Sequence, residues 1–386
     1  MQLDPVRVLL VNDYERRGGA EIVVERTRSC LIAAGHEARV FAGDAVGLSR
    51  TPLSYIDSRR ARGTLRWTLE QFRPDVVHLH NIYHLLSPGI LATCARDRDF
   101  RSTRVVLTLH DHHLVCPNPG GVAWENGRPV EPHLPVGPGH ALWRRRWDGS
   151  SRARSILRAA QRWWNYDWHK RHLNLDVITT PNPALQELVA SWIGGCAPEI
   201  QRLENPPSSV PQPARHSDAC VVVARLEPEK GVAELLEVWD PAMPLRIVGD
   251  GPERARAEQI AAQRSLDAKF TGSLEPEDAV REIAHARTLV LPSASREGWP
   301  LVIDEAVASG TPVVVSNRAR LRPPHDSTDL WHIYDPDVPA TLDRAISAAR
   351  CKGGERPVAT SAERFVDRLL GVYLGSSSDR FPSGAS

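Results

Sequence analysis

The chain has 386 residues, 41% hydrophobic and 25% charged, which is enough for two ordinary domains with full cores and normal for a soluble globular protein. A net charge of +1 gives no global field that calls for nucleic acid, so no nucleic-acid partner is expected and any membrane signal must be local. The six cysteines (Cys30, Cys94, Cys116, Cys196, Cys220, Cys351) include no C-x-x-C pair, which argues against structural zinc or a disulfide framework and for a reducing compartment.

The first apolar run, VRVLLVN (6–12), reads as a buried strand that ends in charge. It lacks the basic segment and cleavage site of a signal peptide, and no apolar run approaches the roughly 20 residues that span a bilayer. A cytoplasmic location is expected. The strand leads through VNDYERRGGAE into a helix starting near Ala20. Gly18 and Gly19 would let backbone approach a ligand beside free helix N–H groups. An ordinary strand-to-helix turn explains the same residues equally well.

Further strands are expected at EARVFAG (37–43), DVVHLHN (75–81), TRVVLTLHD (103–111) and DVITTPN (176–182), with amphipathic helices between them. His110 and Asp111 end the fourth strand, in LTLHDHHLVCP. Consecutive residues do not easily converge on one ion, so a metal site is the weaker reading. A single cleft histidine that hydrogen-bonds or moves a proton fits better, beside a purely structural role.

The segment 141–172, ALWRRRWDGSSRARSILRAAQRWWNYDWHKRH, holds nine Arg or Lys, two Asp and five of the eleven tryptophans. Two readings stand: a long helix whose tryptophans pack on the N-terminal domain while its arginines face water, or a peripheral contact with an anionic inner-membrane face or lipid-pyrophosphate acceptor.

After the Pro-rich NPPSSVPQPARHSD (205–218) a second strand series begins with ACVVVARL, LRIVGDGP, KFTGSL, TLVLPS and TPVVVSN. Continuous apolar strands alternating with helices imply parallel sheets covered on both faces. Two such series imply two Rossmann-like doubly wound domains facing across a cleft, with ligands beyond the carboxyl ends of the strands. The expected division is 1–210, 211–360, and a C-terminal segment over 361–386 that ends in a low-complexity, disordered tail.

In the second series, Arg225 and Lys230 lie on one strand-to-helix loop, VVVARLEPEKG, placed to clamp phosphate. A solvated charged turn with Glu227 and Glu229 is the alternative. GDGPER lacks the third glycine of a dinucleotide fingerprint, so no nicotinamide cofactor is expected. In SREGWPLVIDEA a loop leads to a helix with Pro300 near its start and Gly310 at its end. Backbone N–H groups around Gly298, Trp299 and Leu301 would face an anion at the helix start. Carboxylates repel phosphate, so Glu297 and Glu305 must serve hydroxyl groups of the same ligand. Sugar, diphosphate and ribose together describe a nucleotide-diphosphate sugar.

VNDYERRGGAE, LTLHDHHLVCPN, ARLEPEKG and EGWPLVIDEAVASGTPVV together resemble family 4 of the retaining glycosyltransferases, which have the GT-B fold and a Glu-x7-Glu motif. The likeness covers roughly residues 6–317, and SAERFVDRLLGVYLG resembles the family's closing helix, which crosses back to the N-terminal domain. The resemblance implies that Glu297 holds the donor sugar's hydroxyls near the chemistry, Glu305 the ribose hydroxyls, and Arg225 with Lys230 the diphosphate. Gly18 and Gly19 match the loop that approaches the donor, and His110 the histidine that contacts the donor sugar. The family needs no metal or other cofactor and transfers a glycosyl group with retention. Trp299 stands where phenylalanine is commoner, and the further cysteines that relatives often carry after Cys116 are missing. The implied acceptor is a sugar, lipid-linked or small molecule, and the implied pathway is cell-surface polysaccharide or glycolipid assembly. Natural-product glycosylation and a GT-B sugar-nucleotide epimerase are the alternatives.

Overall fold

A computed structural model describes residues 4–15, 18–94, 103–194, 198–210, 217–323, 328–349 and 361–375. Cys196, Cys351 and the tail from residue 376 lie outside them. The chain divides into two compact units. Unit 1 comprises 1–119, 133–207 and 360–386, and unit 2 comprises 120–132 and 208–359.

Unit 1 is built on a six-stranded sheet of β1 (Arg7–Asn12), β2 (Glu37–Ala42), β3 (Val76–Leu79), β4 (Arg104–Thr108), β7 (Val177–Thr180) and β8 (Glu199–Arg202), in the order β2-β1-β3-β4-β7-β8. Every pairing is parallel. Strand period two sorts β1 between two cores: Leu9 and Val11 pack on one face of the sheet, Val8 and Leu10 on the other. Helix α1 (Gly19–Ala33) follows β1. β5 (Ala123–Glu125) and β6 (Arg128–Val130) form an antiparallel hairpin that belongs to unit 2, although the chain on both sides of it belongs to unit 1.

Unit 2 repeats the plan with β9 (Cys220–Val223), β10 (Leu245–Val248), β11 (Ala268–Gly272), β12 (Thr288–Leu291), β13 (Val313–Ser316) and β14 (Trp331–Tyr334), in the order β11-β10-β9-β12-β13-β14. Its pairings are also parallel. Val222 and Val290 face one core, Val221, Leu289 and Leu291 the other. Helix α2 (Leu301–Ser309) starts after Pro300 and stops at Gly310, whose φ of 73° few other residues adopt. Helix α3 (Ala362–Leu374) returns to unit 1, where Phe365, Val366 and Leu369 join the core with Val8 and Leu10.

The long helix expected over 141–172 does not form. The segment divides into a helix His140–Arg144, a helix Arg152–Arg162 that continues as a π-helix over Trp163–Trp168, and a tight turn Arg171–Asn174. Asp148 causes the break: its Oδ1 accepts from the N–H groups of Ser150 and Ser151, and Ser151 then caps the second helix. The expectation that the arginines face water also fails at two positions. Arg162 is buried and donates to the carbonyls of Leu114 and Val136, and Arg171 is buried with Asn165 and Asp57 as partners.

Candidate functional site

In unit 2 the strand order reverses between β9 and β12, with β10 and β11 to one side and β13 and β14 to the other. Loops that leave a parallel sheet at such a switch diverge and open a crevice beyond the carboxyl ends. The loop after β9 carries Lys230, in a tight turn over Pro228–Lys230, and the loop after β12 carries Glu297. They meet: Lys230 Nζ lies 2.7 Å from Glu297 Oε1 and 2.9 Å from Oε2. Ser293 donates its hydroxyl to the same Oε1 at 2.5 Å, and the Glu297 N–H donates to the Ala319 carbonyl at 3.0 Å. The lysine and glutamate side chains are 21% and 11% exposed, so the pair is partly withdrawn from water, where charge contacts strengthen.

Backbone contacts reinforce this meeting. Gly231, next to Lys230, has φ 66°, and a Cβ there would come within 2.3 Å of the Pro292 carbonyl oxygen. Gly249, just past β10, has φ 136°, and its Cβ would fall 1.9 Å from the Ala224 carbonyl oxygen. Only glycine permits either approach. The G-x-G of GDGPER is thus a backbone packing device between neighbouring loops, a role its spacing alone did not disclose.

The Arg225 guanidinium is 71% exposed and pairs with Glu227 Oε1 at 2.6 Å. Gly298 and Trp299 form the loop before α2, and Leu301 is the first residue of that helix. The Trp299 indole N–H donates to Asp304 Oδ1 at 2.8 Å, and its ring stacks on Trp331 with centroids 6.3 Å apart. Glu305 is buried within α2. Glu131, from the hairpin, accepts from Arg296 at 3.3 Å and from Arg320 at 3.2 Å. These arginines immediately precede Glu297 and follow Ala319, so one carboxylate ties together both segments that hold Glu297. Sequence reasoning missed Ser293 and Glu131, although the Asn126-Gly127 turn was a readable hairpin signal.

In unit 1, Gly18 precedes α1 and Gly19 opens it, and the first turn already contains a carboxylate, Glu21, bound to Asn12 Nδ2 at 3.0 Å. His110 Nε2 lies 2.9 Å from His80 Nδ1. Burial lowers the His110 pKa to about 4, opposed by the Asp111 charge. Asp111 is bound by His113 through both its backbone N–H and its ring, while His112 Nδ1 lies 3.3 Å from the Pro119 carbonyl. The histidines of this stretch therefore diverge. Among the described residues no three His, Cys, Asp or Glu side chains are grouped to hold a metal ion.

Residues 213–322 match the family described as Glycosyl transferases group 1. That stretch contains the Lys230–Glu297 pair, Arg225, Gly249 and Glu305. The matched stretch lies within unit 2. A sulfoquinovosyl transferase of Arabidopsis thaliana is 25% identical over 326 residues, which is 78% of this chain and 54% of that protein. The chain thus spans about half the length of that relative. Among solved structures, sucrose-phosphate synthase from Thermosynechococcus elongatus aligns over 96% of both chains with a TM-score of 0.60 and 18% identity. Anabaena HepE, in complex with UDP and glucose, aligns over 95% of this chain and all of its own, with a TM-score of 0.57 and 15% identity. Two units, each with a six-stranded parallel sheet, give the chain the GT-B fold of these neighbours.

Proposed function

We propose that the chain is a retaining glycosyltransferase that moves a sugar from a nucleotide-diphosphate sugar to a hydroxyl acceptor. The observation that carries this reading is the Lys230–Glu297 pair at the strand switch of the group 1 domain. A cation and a hydroxyl-binding carboxylate side by side suit the junction between diphosphate and sugar. Glu297 would hold the sugar hydroxyls, Lys230 with Arg225 the diphosphate, and Glu305 the ribose. Gly298, Trp299 and Leu301 would line the diphosphate at the start of α2. As the bond from sugar to diphosphate breaks, the departing phosphate oxygen takes the acceptor's proton and the acceptor oxygen bonds to the sugar on the same face. The positive charge for this step comes from side chains, so no metal is required.

A thermal-shift screen against UDP-, GDP- and dTDP-sugars tests the reading. The cognate donor at 100 times its Kd is expected to stabilise the protein by about 2.7 kcal/mol. No shift with any nucleotide sugar would defeat the proposal, and turnover of donor without acceptor to an isomeric sugar nucleotide would point to an epimerase.

Cell-surface polysaccharide or glycolipid assembly is the proposed setting, with the protein on the cytoplasmic face of the membrane. Trp143, Trp163 and Trp168 form a ring cluster, with centroids 6.2 Å and 5.4 Å apart. Trp143 is 43% and Trp168 63% exposed, and Arg144 and Lys170 are exposed beside them in sequence. Amphipathic rings flanked by cations suit an anionic lipid surface. Among the described residues no helix is long and apolar enough to cross a membrane, so this contact would be peripheral. In flotation with phosphatidylglycerol vesicles at physiological salt the protein is expected to float, and the Trp143→Ala/Trp168→Ala variant to remain at the bottom. Absence of wild-type binding would end the membrane reading.

A further inference from the structure

β3 and β4 are neighbours, so residues just beyond their carboxyl ends lie side by side. His80 directly follows β3 and His110 lies two residues past β4. Their rings stack with centroids 5.2 Å apart, and His80 Nδ1 is 2.9 Å from His110 Nε2. Burial holds His80 well below its ordinary pKa and His110 at about 4, so both rings are neutral near pH 7. A hydrogen bond between two neutral imidazoles couples their tautomers, because one nitrogen must carry the hydrogen and the other must not.

The far side of His80 decides which ring donates. His80 Nε2 is buried and has no partner among the described residues. If His110 donated, the hydrogen of His80 would sit on that nitrogen as a buried N–H without an acceptor. If His80 donates through Nδ1, only a lone pair is left there. An orphaned buried N–H is the rarer and costlier arrangement. The His80 ring also has little room to turn over. His78 lies against it with centroids 4.3 Å apart, and is itself held by the Tyr373 hydroxyl at 2.8 Å and the Thr108 hydroxyl at 2.7 Å.

We infer that His80 is a positioning residue that holds His110 in its Nδ1–H tautomer, so that His110 meets the sugar substrate as a hydrogen-bond donor and not as a proton acceptor. The inference deepens the transferase reading and rests on His110 serving that reaction. A neutral N–H donor suits a sugar hydroxyl oxygen, and it leaves removal of the acceptor's proton to the departing phosphate.

Long-range proton–nitrogen correlation NMR on the labelled protein reads the tautomers directly. The expected pattern is a protonated Nδ1 and an unprotonated Nε2 in both His80 and His110, whose signals the single variants identify. A protonated Nε2 in either ring overturns the assignment. In turnover, His80→Asn places an amide N–H where Nδ1 stood and is expected to keep kcat within about threefold, whereas His80→Leu is expected to lower kcat about tenfold or more with donor KM little changed. Equal kcat for the two variants would remove the positioning role. If the NMR pattern holds but His110→Ala turns over normally, it is the role of His110 in transfer that fails, and the tautomer assignment stands.

Discussion

Glu297→Ala is expected to nearly abolish sugar transfer, and Lys230→Ala to lower turnover by about 10- to 100-fold, the effect of losing a charge-assisted contact of about 1.5–3 kcal/mol. Glu297 is held from three sides, by Lys230, by the Ser293 hydroxyl and by its own N–H on Ala319. The carboxylate is therefore oriented before any substrate arrives, which is what a hydroxyl-directing group requires. Lys230 has three N–H donors; two meet Glu297, and the third can meet a phosphate oxygen. In the proposed reaction, removing the lysine would cost twice, once at the leaving group and once by leaving a sheltered carboxylate without its counter-ion.

Because one interaction serves both residues, their effects should not add. The double variant is expected to be little worse than Glu297→Ala alone, with a coupling energy above about 1 kcal/mol in a double-mutant cycle. Glu305→Ala should mainly weaken donor binding. Wild-type turnover in Glu297→Ala, with loss in Glu305→Ala, would reverse the roles of the two carboxylates. Additive losses at Lys230 and Glu297 would show that the pair does not act as a unit.

Much of this was legible from patterning. Runs such as VVVARL and TLVLPS are apolar on both faces because both faces of their sheets are covered, and this identified the parallel α/β units. The sixth strand of each sheet was missed. Glu199–Arg202 (EIQR) and Trp331–Tyr334 (WHIY) are edge strands of four residues, too short to show a period, and the first is mostly polar. The proximity of Lys230 and Glu297 could be guessed from their places after neighbouring strands, but the pairing choice could not. Arg225 had an equal claim on Glu297 and turned to Glu227, two residues away. Segment 141–172 misled because its helix-forming composition masked a local competitor, the Asp148 carboxylate that captures the following N–H groups. Long-range partners such as Glu131 with Arg296 and Arg320 leave no periodic trace.

Stability should fall steeply with acid between pH 6.5 and about 4.5, and unit 1 should be the part that fails. Burial lowers His78 and His84 to about 3, His110 and His172 to about 4, and His80 well below its ordinary value. All five lie in unit 1. Their folded pKa values lie below the unfolded one, so the unfolded chain takes up protons first as pH drops through 6.5, and stability falls. Each such histidine removes up to about 1.4 kcal/mol per pH unit in that window. Asp13 acts in the opposite sense. Burial raises its pKa to about 6 although the N–H groups of His84, Leu85 and Leu86 bind its carboxylate, so the folded chain takes up that proton first and recovers part of the loss. Burial also raises Asp167, which acts in the same sense as Asp13, but two carboxylates cannot offset five histidines, and the net slope counts the difference. Urea unfolding midpoints at pH 7, 6 and 5 should therefore drop. In hydrogen exchange, the amides of β1 and β3 should lose protection before those of β9 and β12. Replacing His84 by a neutral residue should flatten the slope by about one proton, or 1.4 kcal/mol per pH unit. A midpoint unchanged from pH 7 to 5 would mean that these histidines are solvated in the folded chain, and the neutral His80–His110 pair would lose its basis with them.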